Sequence, residues 1–178
     1  MISLLFLLFS YQADYKLFFQ EGKQLFGSPN IDCDFGLEGV EAEFDPDQMR
    51  QVLINLLSNA AEAMGEKFRS QEGFQPRIAL STRFADGQAL IVVEDNGPGI
   101  APENINRIRE PLFTTKSFGV GLGIPAIIKI LERHSGGLDI ESPAGSGARF
   151  TARFPISATS ASASTPPAHP VIRLSAVR

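Results

Sequence analysis

The stretch from Asp45 to Lys67, DPDQMRQVLINLLSNAAEAMGEK, constrains the possible fold more than any other part of this sequence. Asp45 suits an N-cap position, and Pro46 suits the first helical position, where its missing N–H costs nothing. Gln48 resembles the second half of a capping box. Apolar residues then recur at helical spacing, at Met49, Val52, Leu53, Leu56, Leu57, Ala60, Ala61 and Met64. The pattern predicts one amphipathic helix whose apolar side packs against a sheet.

The polar side of this helix is unusual for a solvent-exposed surface. It carries Gln48, Gln51, Asn55, Asn59 and Glu62, where an ordinary surface would favour Lys, Glu and Arg. Asn is a mediocre residue inside a helix, because its short amide competes for backbone hydrogen bonds. Two interpretations stay open at this point. The stripe is either a plain polar surface or a site whose amide and carboxylate oxygens hold a hard cation such as Mg²⁺.

Composition sets limits on the class of protein. At 178 residues with 43% apolar content, the chain is long enough for one domain with a real core. Its net charge of −4 argues against a nucleic-acid surface built on positive charge. The single Cys33 excludes an intrachain disulfide and fits a reducing compartment, and no Cys/His cluster suggests zinc.

The two ends of the chain differ from its centre. The N-terminal run MISLLFLLFS is about half the roughly 20 residues that a membrane span needs, and it lacks the basic flank of a signal peptide. We therefore predict that residues 1–28 are a helical lead-in, with a membrane-proximal or signal-like segment as the alternative. Residues 157–178 are rich in Ser, Ala, Thr and Pro and are predicted to be a disordered tail. The folded domain is then expected at residues 29–156.

Alternating apolar and polar residues predict the strands of that domain. IDCDF and VEAEF precede the helix, and GLDIES and ARFTARF lie near the end of the domain. RIALSTRF and QALIVVED are separated by a short Asp86-Gly87 turn signal, so we predict that they form a hairpin.

The second hairpin strand ends in Asp95, within the run E-D-N-G-P-G-I at residues 94–100. One interpretation is an ordinary Gly/Pro-rich strand exit. The other is a ligand site, in which a carboxylate at a rigid strand end accepts a hydrogen bond from an exocyclic amine such as that of adenine. The glycines that follow would let a ligand approach the backbone.

Two further segments are candidates for binding phosphate. Residues 101–117 are polar and irregular and predict a lid or binding loop, in which Lys116 either contacts a phosphate or is an ordinary surface lysine. Residues 119–123, G-V-G-L-G, open an apolar helix, where backbone N–H groups and the helix dipole favour an anion. No G-K-[ST] follows, so this is not a Walker loop.

Taken in order, the Asn-bearing helix, D-N-G-P-G, F-T-T-K and G-V-G-L-G resemble the ATP-binding catalytic domain of bacterial sensor histidine kinases. That domain belongs to the superfamily of gyrase, the heat-shock chaperone ATPase and the mismatch-repair ATPase. The resemblance covers roughly residues 31–155, and N-L-L-S-N-A-A-E-A-M and E-P-L-F-T-T-K look most like the nitrogen-regulation and dicarboxylate-sensor branch. It implies a two-layer α/β sandwich of the Bergerat type, with a mixed sheet of about five strands and about three helices on one face. ATP would lie between the helices under a mobile lid.

The resemblance also implies roles for individual residues. Asn59 would coordinate the Mg²⁺ that bridges the phosphates, with Asn55 and Glu62 nearby, and Asp95 would bond the adenine amine. Asn55, Asn59 and Lys116 are the catalytic candidates. The other nucleotide-binding candidates, beside Asn59, Glu62 and Asp95, are Gly97, Gly99, Ile100, Phe113, Thr114, Thr115, Lys116, Gly119, Val120, Gly121, Leu122 and Gly123. The cofactors implied are ATP and Mg²⁺.

Two departures refine the expected activity. ATPase members of the superfamily resemble one another in a Glu one turn before the Mg²⁺ ligand, but here that position is Asn55, whose amide cannot act as a general base. Neither of the two histidines, His134 and His169, lies in the H-E/D context of a phosphoryl acceptor. We therefore expect binding with little turnover in the isolated chain, and transfer to a histidine on another domain or chain.

The implied partners are a His-bearing dimerisation domain and a downstream response regulator, in the cytoplasm. Residues 1–28 would be the remnant of the connection to that domain. Neither nucleic acid nor a clear membrane span is expected. The alternatives are a serine kinase of the anti-sigma type, a non-catalytic nucleotide-binding regulatory module, and an ATPase.

Overall fold

The structure is a computed structural model that describes residues 2–3, 31–37, 41–116, 119–143, 145–155 and 172–174. Short 3-10 turns occupy residues 102–104 and 107–109. The strands and α-helices, in chain order, are β1 (Ile2–Ser3), β2 (Asp32–Leu37), β3 (Glu41–Ala42), α1 (Pro46–Ser70), β4 (Arg77–Ala85), β5 (Gln88–Asp95), α2 (Gly123–Arg133), β6 (Gly137–Glu141), β7 (Ala148–Pro155) and β8 (Ile172–Leu174).

The capping residues predicted from sequence start helix α1. The Asp45 carboxylate accepts hydrogen bonds from the backbone N–H groups of Asp47 at 2.9 Å and Gln48 at 3.1 Å, and the Gln48 side chain donates back to it at 2.8 Å. The apolar residues predicted to face a sheet are all buried. The helix continues to Ser70, beyond the predicted end at Lys67. The prediction of an amphipathic helix is therefore confirmed.

The sheet is mixed, as the resemblance implies, and its strand order is β6-β7-β5-β4-β2-β8. Strands β2 and β4 are parallel, since α1 carries the chain from one to the other, and the other pairs are antiparallel. Both α1 and α2 pack on one face of this sheet, where they form the core with alternate residues of the strands. Those strand residues are Ile78, Leu80, Ala89, Ile91, Val93, Leu138, Ala148, Phe150, Ala152 and Phe154.

The β4–β5 hairpin has the turn that its sequence predicts. The turn residues Asp86 and Gly87 have φ angles of 52° and 75°. Positive φ at both central residues is the type I′ geometry that matches the twist of the two strands. The turn sets a register that pairs Ile78 with Asp95, so the end of β5 lies beside the beginning of β4.

The element count differs from the expectation at the ends of the chain. Among the described residues the sheet has six strands rather than about five, because Ile172–Leu174, in the segment predicted to be disordered, pair with β2. Ile2–Ser3, predicted to be helical, instead pair with Glu41–Ala42. In both cases short segments satisfy backbone groups that an open strand edge would leave unpaired. The rest of residues 1–28 and 157–178 lies outside the described residues.

The helical layer also differs from the expected number of about three helices. Two α-helices lie in the described part of the chain, and residues 101–116 contribute 3-10 turns and loop. Neither helix has the length and apolarity needed to cross a membrane.

His134 has a structural position at the end of α2. Its Nδ1 donates to the Ile130 carbonyl at 2.9 Å, and its Nε2 accepts from the Asp45 backbone N–H at 3.1 Å. A carbonyl can only accept, so these two bonds define one neutral tautomer. The imidazole thereby joins the C-terminus of α2 to the N-terminus of α1.

Replacing the α1 cap should give a pH-dependent loss of stability. The hydrogen bonds from Gln48, backbone first and then side chain, hold the pKa of Asp45 below its ordinary value. A lowered native pKa contributes stability that is present above the unfolded pKa and is lost as the pH falls through the native pKa. We expect Asp45→Ala to lower the thermal midpoint at neutral pH, with a smaller difference from the parent in acid.

Thermal unfolding between pH 2 and 7 measures this effect. Asp45→Asn is the control, because its amide oxygen can still cap the helix but does not titrate. A deficit of Asp45→Ala that is unchanged across this pH range would contradict the assignment of an ionised cap.

Candidate functional site

A cavity of about 340 Å³ lies among α1, the end of β5, the lid segment (residues 101–116), the start of α2 and β7. Six of the residues predicted from sequence line it: Asn59, Asp95, Gly99, Ile100, Thr115 and Lys116. Its remaining lining residues are Ala63, Pro98, Ala101, Asn104, Ile108, Ile124, Ala148 and Phe150. The cavity therefore brings together residues of the Asn-bearing helix, the D-N-G-P-G segment and the lid.

Asp95 provides a half-buried carboxylate at one part of this cavity. It accepts a hydrogen bond from the Gly97 backbone N–H at 2.8 Å. Burial raises the pKa of Asp95, while hydrogen bonds from Gly97 and Ala148 and the charges of Lys67 and Lys116 oppose the rise. A carboxylate held in this way is a strong acceptor for a ligand N–H group.

The glycines after Asp95 are required by close contacts. A Cβ at Gly97 would lie 2.8 Å from the Asp95 Oδ1 and 3.5 Å from the Ala63 Cβ. Gly99 has a φ of +77°, and a Cβ there would lie 2.9 Å from the carbonyl oxygen of Pro143. Because neither position has room for a side chain, the D-N-G-P-G segment packs closely between α1 and the loop before β7. In that position Pro98 and Gly99 line the cavity.

That loop is tied to the same wall by hydrogen bonds. The Ile100 N–H donates to Ser142 Oγ at 2.7 Å, and the Ser142 hydroxyl donates to the Gly147 carbonyl at 2.8 Å. The Gly145 N–H donates to the Pro98 carbonyl at 3.0 Å. Ile100, a predicted binding residue, is thereby fixed at the cavity lining.

The helix contributes a second polar cluster, around Asn59. Lys116 Nζ donates to Asn59 Oδ1 at 3.0 Å and to Glu62 Oε2 at 2.5 Å. The Nδ2 of Asn59 is buried and has no hydrogen-bond partner. A Cβ at Gly123, in the first turn of α2, would lie 3.6 Å from that nitrogen. The Lys116 ammonium therefore lies between the amide oxygen of Asn59 and a carboxylate oxygen of Glu62.

The oxygens of this cluster fit a Mg²⁺ ion. Mg²⁺ prefers hard oxygen ligands and is usually held by few protein groups together with phosphates and water. The described residues contain no group of three or more His, Cys, Asp and Glu side chains that could form a complete protein cage. Asn59 and Glu62 already accommodate a cation in the form of Lys116, and an ion there would complete its coordination with ligand oxygens.

Several predicted residues lie beside the cavity but do not line it. The glycine loop (residues 119–123) packs on the lid motif (residues 113–116). Gly121 has a φ of +72°, and a Cβ there would lie 2.5 Å from the Phe113 carbonyl oxygen. A Cβ at Gly119 would lie 2.5 Å from Thr114 Oγ1. Val120 and Leu122 are 67% and 49% exposed. In this arrangement the loop supports the lid, and its residues face it or the solvent.

Phe113 and Asn55 also lie outside the cavity lining. The Phe113 ring packs against the Arg107 guanidinium, whose Cζ lies 4.2 Å from the centre of the ring. Asn55 lies one turn before Asn59 on α1 and accepts a hydrogen bond from the Gln51 side chain at 3.4 Å. No general base stands at the Asn55 position.

Sequence reasoning missed part of the lining and one basic residue. Ala63 and Lys67 follow Asn59 at intervals of four residues, so helical spacing could have identified both. Ala148 and Phe150 could have been found from the alternation of β7. Asn104 and Ile108 lie in an irregular segment with no periodic signal.

A family model with the description "Histidine kinase-, DNA gyrase B-, and HSP90-like ATPase" matches residues 44–158. Among curated proteins, the chain is 39% identical over 119 residues to the sensor histidine kinase ZraS of Escherichia coli O157:H7. It is 40% identical over 108 residues to the nitrogen regulation protein NtrY of Azorhizobium caulinodans. These alignments cover 67% and 60% of this chain, but only 24% of ZraS and 14% of NtrY.

A solved structure of the catalytic domain of the histidine kinase ThkA, in a nucleotide-free form, has the same fold. It superposes with a TM-score of 0.66 at 31% identity, covering 84% of this chain and 94% of that domain. The similarity therefore includes nearly the whole of a histidine kinase catalytic domain. The chain belongs to the family of histidine kinase-, DNA gyrase B- and HSP90-like ATPases, and within it to the ATP-binding catalytic domains of sensor histidine kinases.

Proposed function

We propose that this chain binds ATP·Mg²⁺ and donates the γ-phosphoryl group to a histidine on another domain or chain. The observation that carries the proposal is one cavity lined by both a half-buried carboxylate, Asp95, and the Asn59–Lys116 cluster. The first suits the adenine amine, and the second suits phosphates with their metal. The curated relatives are several times longer than this chain, so the complete kinase reaction and its partners belong to this proposal.

The chemistry asked of these residues is mainly positioning and charge neutralisation. Phosphoryl transfer passes through a transition state with charge spread over the phosphoryl oxygens, so cations and N–H donors contribute most of the catalysis. Asn59 and Glu62 would hold Mg²⁺, and Lys116 would turn from these oxygens to a phosphate. A bound Mg²⁺ would supply further neutralisation of the phosphate charge.

The polar groups near the site favour transfer over hydrolysis. The amide of Asn55 cannot take a proton from water, so it cannot activate water for attack. His134 is unsuitable as an internal acceptor, because both ring nitrogens are engaged in hydrogen bonds that join α1 and α2. His169 lies outside the described residues. We therefore place the acceptor on a His-bearing dimerisation domain, with a cytoplasmic response regulator downstream.

A two-stage experiment tests the proposal. Titration calorimetry with ATP, with and without Mg²⁺, measures binding, and incubation with γ-labelled ATP and a His-bearing hairpin domain added in trans measures transfer. We expect Mg²⁺-enhanced binding and an acid-labile, base-stable label on the added domain. Absence of ATP binding by the folded chain would contradict the nucleotide site. Steady-state phosphate release without labelling would instead favour an ATPase.

Substituting the proposed adenine contact should reduce nucleotide selectivity. We expect Asp95→Asn to lower the ratio of ATP to GTP affinity by roughly tenfold or more, since a charged acceptor is replaced by a neutral amide that can also donate a hydrogen bond. Burial raises the pKa of Asp95, so the ATP affinity of the parent should fall as the pH drops through that raised value. Asp95→Asn should lack this acid limb. Calorimetry with both nucleotides between pH 3 and 8, a range that begins below the ordinary pKa of an aspartate, measures both effects. An unchanged ATP/GTP ratio would contradict the adenine assignment.

A further inference from the structure

Lys67, near the end of α1, makes contacts that were not predicted from the sequence. Its Nζ donates to the carbonyl oxygens of Asn96 at 3.0 Å and Gly97 at 3.1 Å. The same ammonium lies over the Phe74 ring, 4.7 Å from its centre. The lysine is half-buried. One side chain thus holds the first two residues of the turn that follows Asp95.

The turn is held by a stripe of α1 rather than by Lys67 alone. Asn59, Ala63 and Lys67 are spaced by four residues and lie on one side of the helix. Asn59 and Ala63 line the cavity. Ala63 packs close to Gly97, since a Cβ added at Gly97 would lie 3.5 Å from the Ala63 Cβ. Lys67 then fixes the carbonyl groups of the same turn. The stripe connects the proposed metal ligand to the segment that carries Asp95.

Lys67 also contributes positive charge near the half-buried carboxylate of Asp95. The charges that act on Asp95 come from Lys67 on α1 and Lys116 on the lid. Lys116 is paired with Glu62, whereas the contacts of Lys67 among the described residues are neutral carbonyls and a ring. The sheet neighbours of Asp95 are Ile78 and Ala148, which do not titrate. The adjacent Glu94 is paired with Arg149.

We infer that Lys67 is a positioning residue for the adenine end of the site, which holds the turn at residues 96–97 against α1 and balances the charge of Asp95. This inference rests on the proposed function, because it assigns the adenine end of the site. The contacts of Lys67, however, are present in the chain without nucleotide. A ligand-independent measurement can therefore separate a failure of this inference from a failure of the proposed function.

The experiment compares three substitutions at Lys67 with one control. Lys67→Met keeps the apolar stem but removes charge and donors, Lys67→Gln keeps a donor without the charge, and Lys67→Arg keeps both. Lys129→Met removes the same charge from the exposed surface of α2 and is the control. The titration of the Asp95 carboxyl is followed by NMR in the nucleotide-free chain, and the ATP affinity is then measured from pH 3 to 8, a range that begins below the ordinary pKa of an aspartate.

We expect the Asp95 pKa to rise in Lys67→Met and Lys67→Gln and to stay near the parent value in Lys67→Arg and Lys129→Met. At pH 7, Lys67→Met should raise the Kd for ATP by roughly tenfold, and its acid limb should move to higher pH. The affinity of Lys67→Gln should lie between those of Lys67→Met and the parent.

The inference is overturned if the Asp95 titration is the same in Lys67→Gln and Lys129→Met, or if Lys67→Met only lowers affinity equally at all pH values. Should Lys67→Met fail to fold, Lys67→Gln decides the charge effect by itself. A shifted Asp95 titration in a chain that binds no ATP would support the role of Lys67 in the turn and contradict the proposed function.

Discussion

Asn59→Ala should abolish the Mg²⁺-dependent part of ATP binding while leaving the chain folded. The Asn59 Oδ1 is one of two oxygens that hold the Lys116 ammonium, and we assign this pair to Mg²⁺. Loss of a residue that only orients a metal's ligands typically costs roughly 10–100-fold in metal affinity, and loss of a direct ligand should cost at least as much. We therefore expect the enhancement of ATP binding by Mg²⁺ to disappear.

Retention of the fold follows from the position of Asn59 on α1. The side chain is partly exposed, and its Nδ2 has no hydrogen-bond partner to lose. Ala is also a better helix former than Asn. Stability measured by thermal unfolding should thus equal or exceed that of the parent. This combination of a stable chain with lost metal response distinguishes a ligand from a residue needed for folding.

Calorimetry with and without Mg²⁺ measures the effect, and Gln51→Ala provides a matched control. Gln51 is an exposed amide on the same helix, two turns before Asn59, and does not line the cavity. Its substitution should leave both the affinity and the Mg²⁺ response within about twofold, as expected for a surface change. Binding of ATP·Mg²⁺ by Asn59→Ala as tight as by the parent would show that the metal assignment is wrong.

The parts of the fold that sequence predicts best are those set by local patterns. The apolar stripe of α1, its Asp45 cap and the Asp86-Gly87 turn depend on residues within a few positions of one another. The short strands β1 and β8 do not. They pair with partners far along the chain, and nothing within IS or IRL specifies that pairing.

The candidate site is divided in the same way. Asn59 and Asp95 were predicted from motifs, because each carries its chemistry in its own side chain. Lys67 was not, since its partners Asn96 and Gly97 are about thirty residues away and are reached only after the sheet forms. The glycine loop was predicted to approach a ligand, but in the structure Gly119 and Gly121 are required mainly by their contacts with the lid segment. A glycine pattern indicates that some group comes close to the backbone, but it does not show whether that group is a ligand or another part of the protein.

Gly147→Ala should destabilise the protein strongly, because Gly147 lies where the loop before β7 meets the end of β5. Its φ is +84°, and a Cβ there would lie 1.9 Å from the carbonyl oxygen of Asp95 and 3.0 Å from the Asn96 Cα. The backbone conformation alone costs a non-glycine residue about 1–2 kcal/mol. The overlap with the backbone of Asp95 and Asn96 adds strain that only a shift of β5 or β7 can relieve. We expect a total loss of more than about 3 kcal/mol, in the range reserved for severe packing defects.

Gly145→Ala, in the same turn, separates the two contributions. Gly145 has a similar φ of +79°, but a Cβ there meets nothing within 4 Å, so it should cost only the conformational part, about 1–2 kcal/mol. Urea unfolding of both variants measures the difference in free energy of unfolding. Because the displaced backbone is that of Asp95 and Asn96, Gly147→Ala should also weaken ATP binding below its unfolding temperature, whereas Gly145→Ala should not. Equal losses of stability in the two variants would mean that the backbone of Asp95 leaves room for a side chain at Gly147, contrary to the structure.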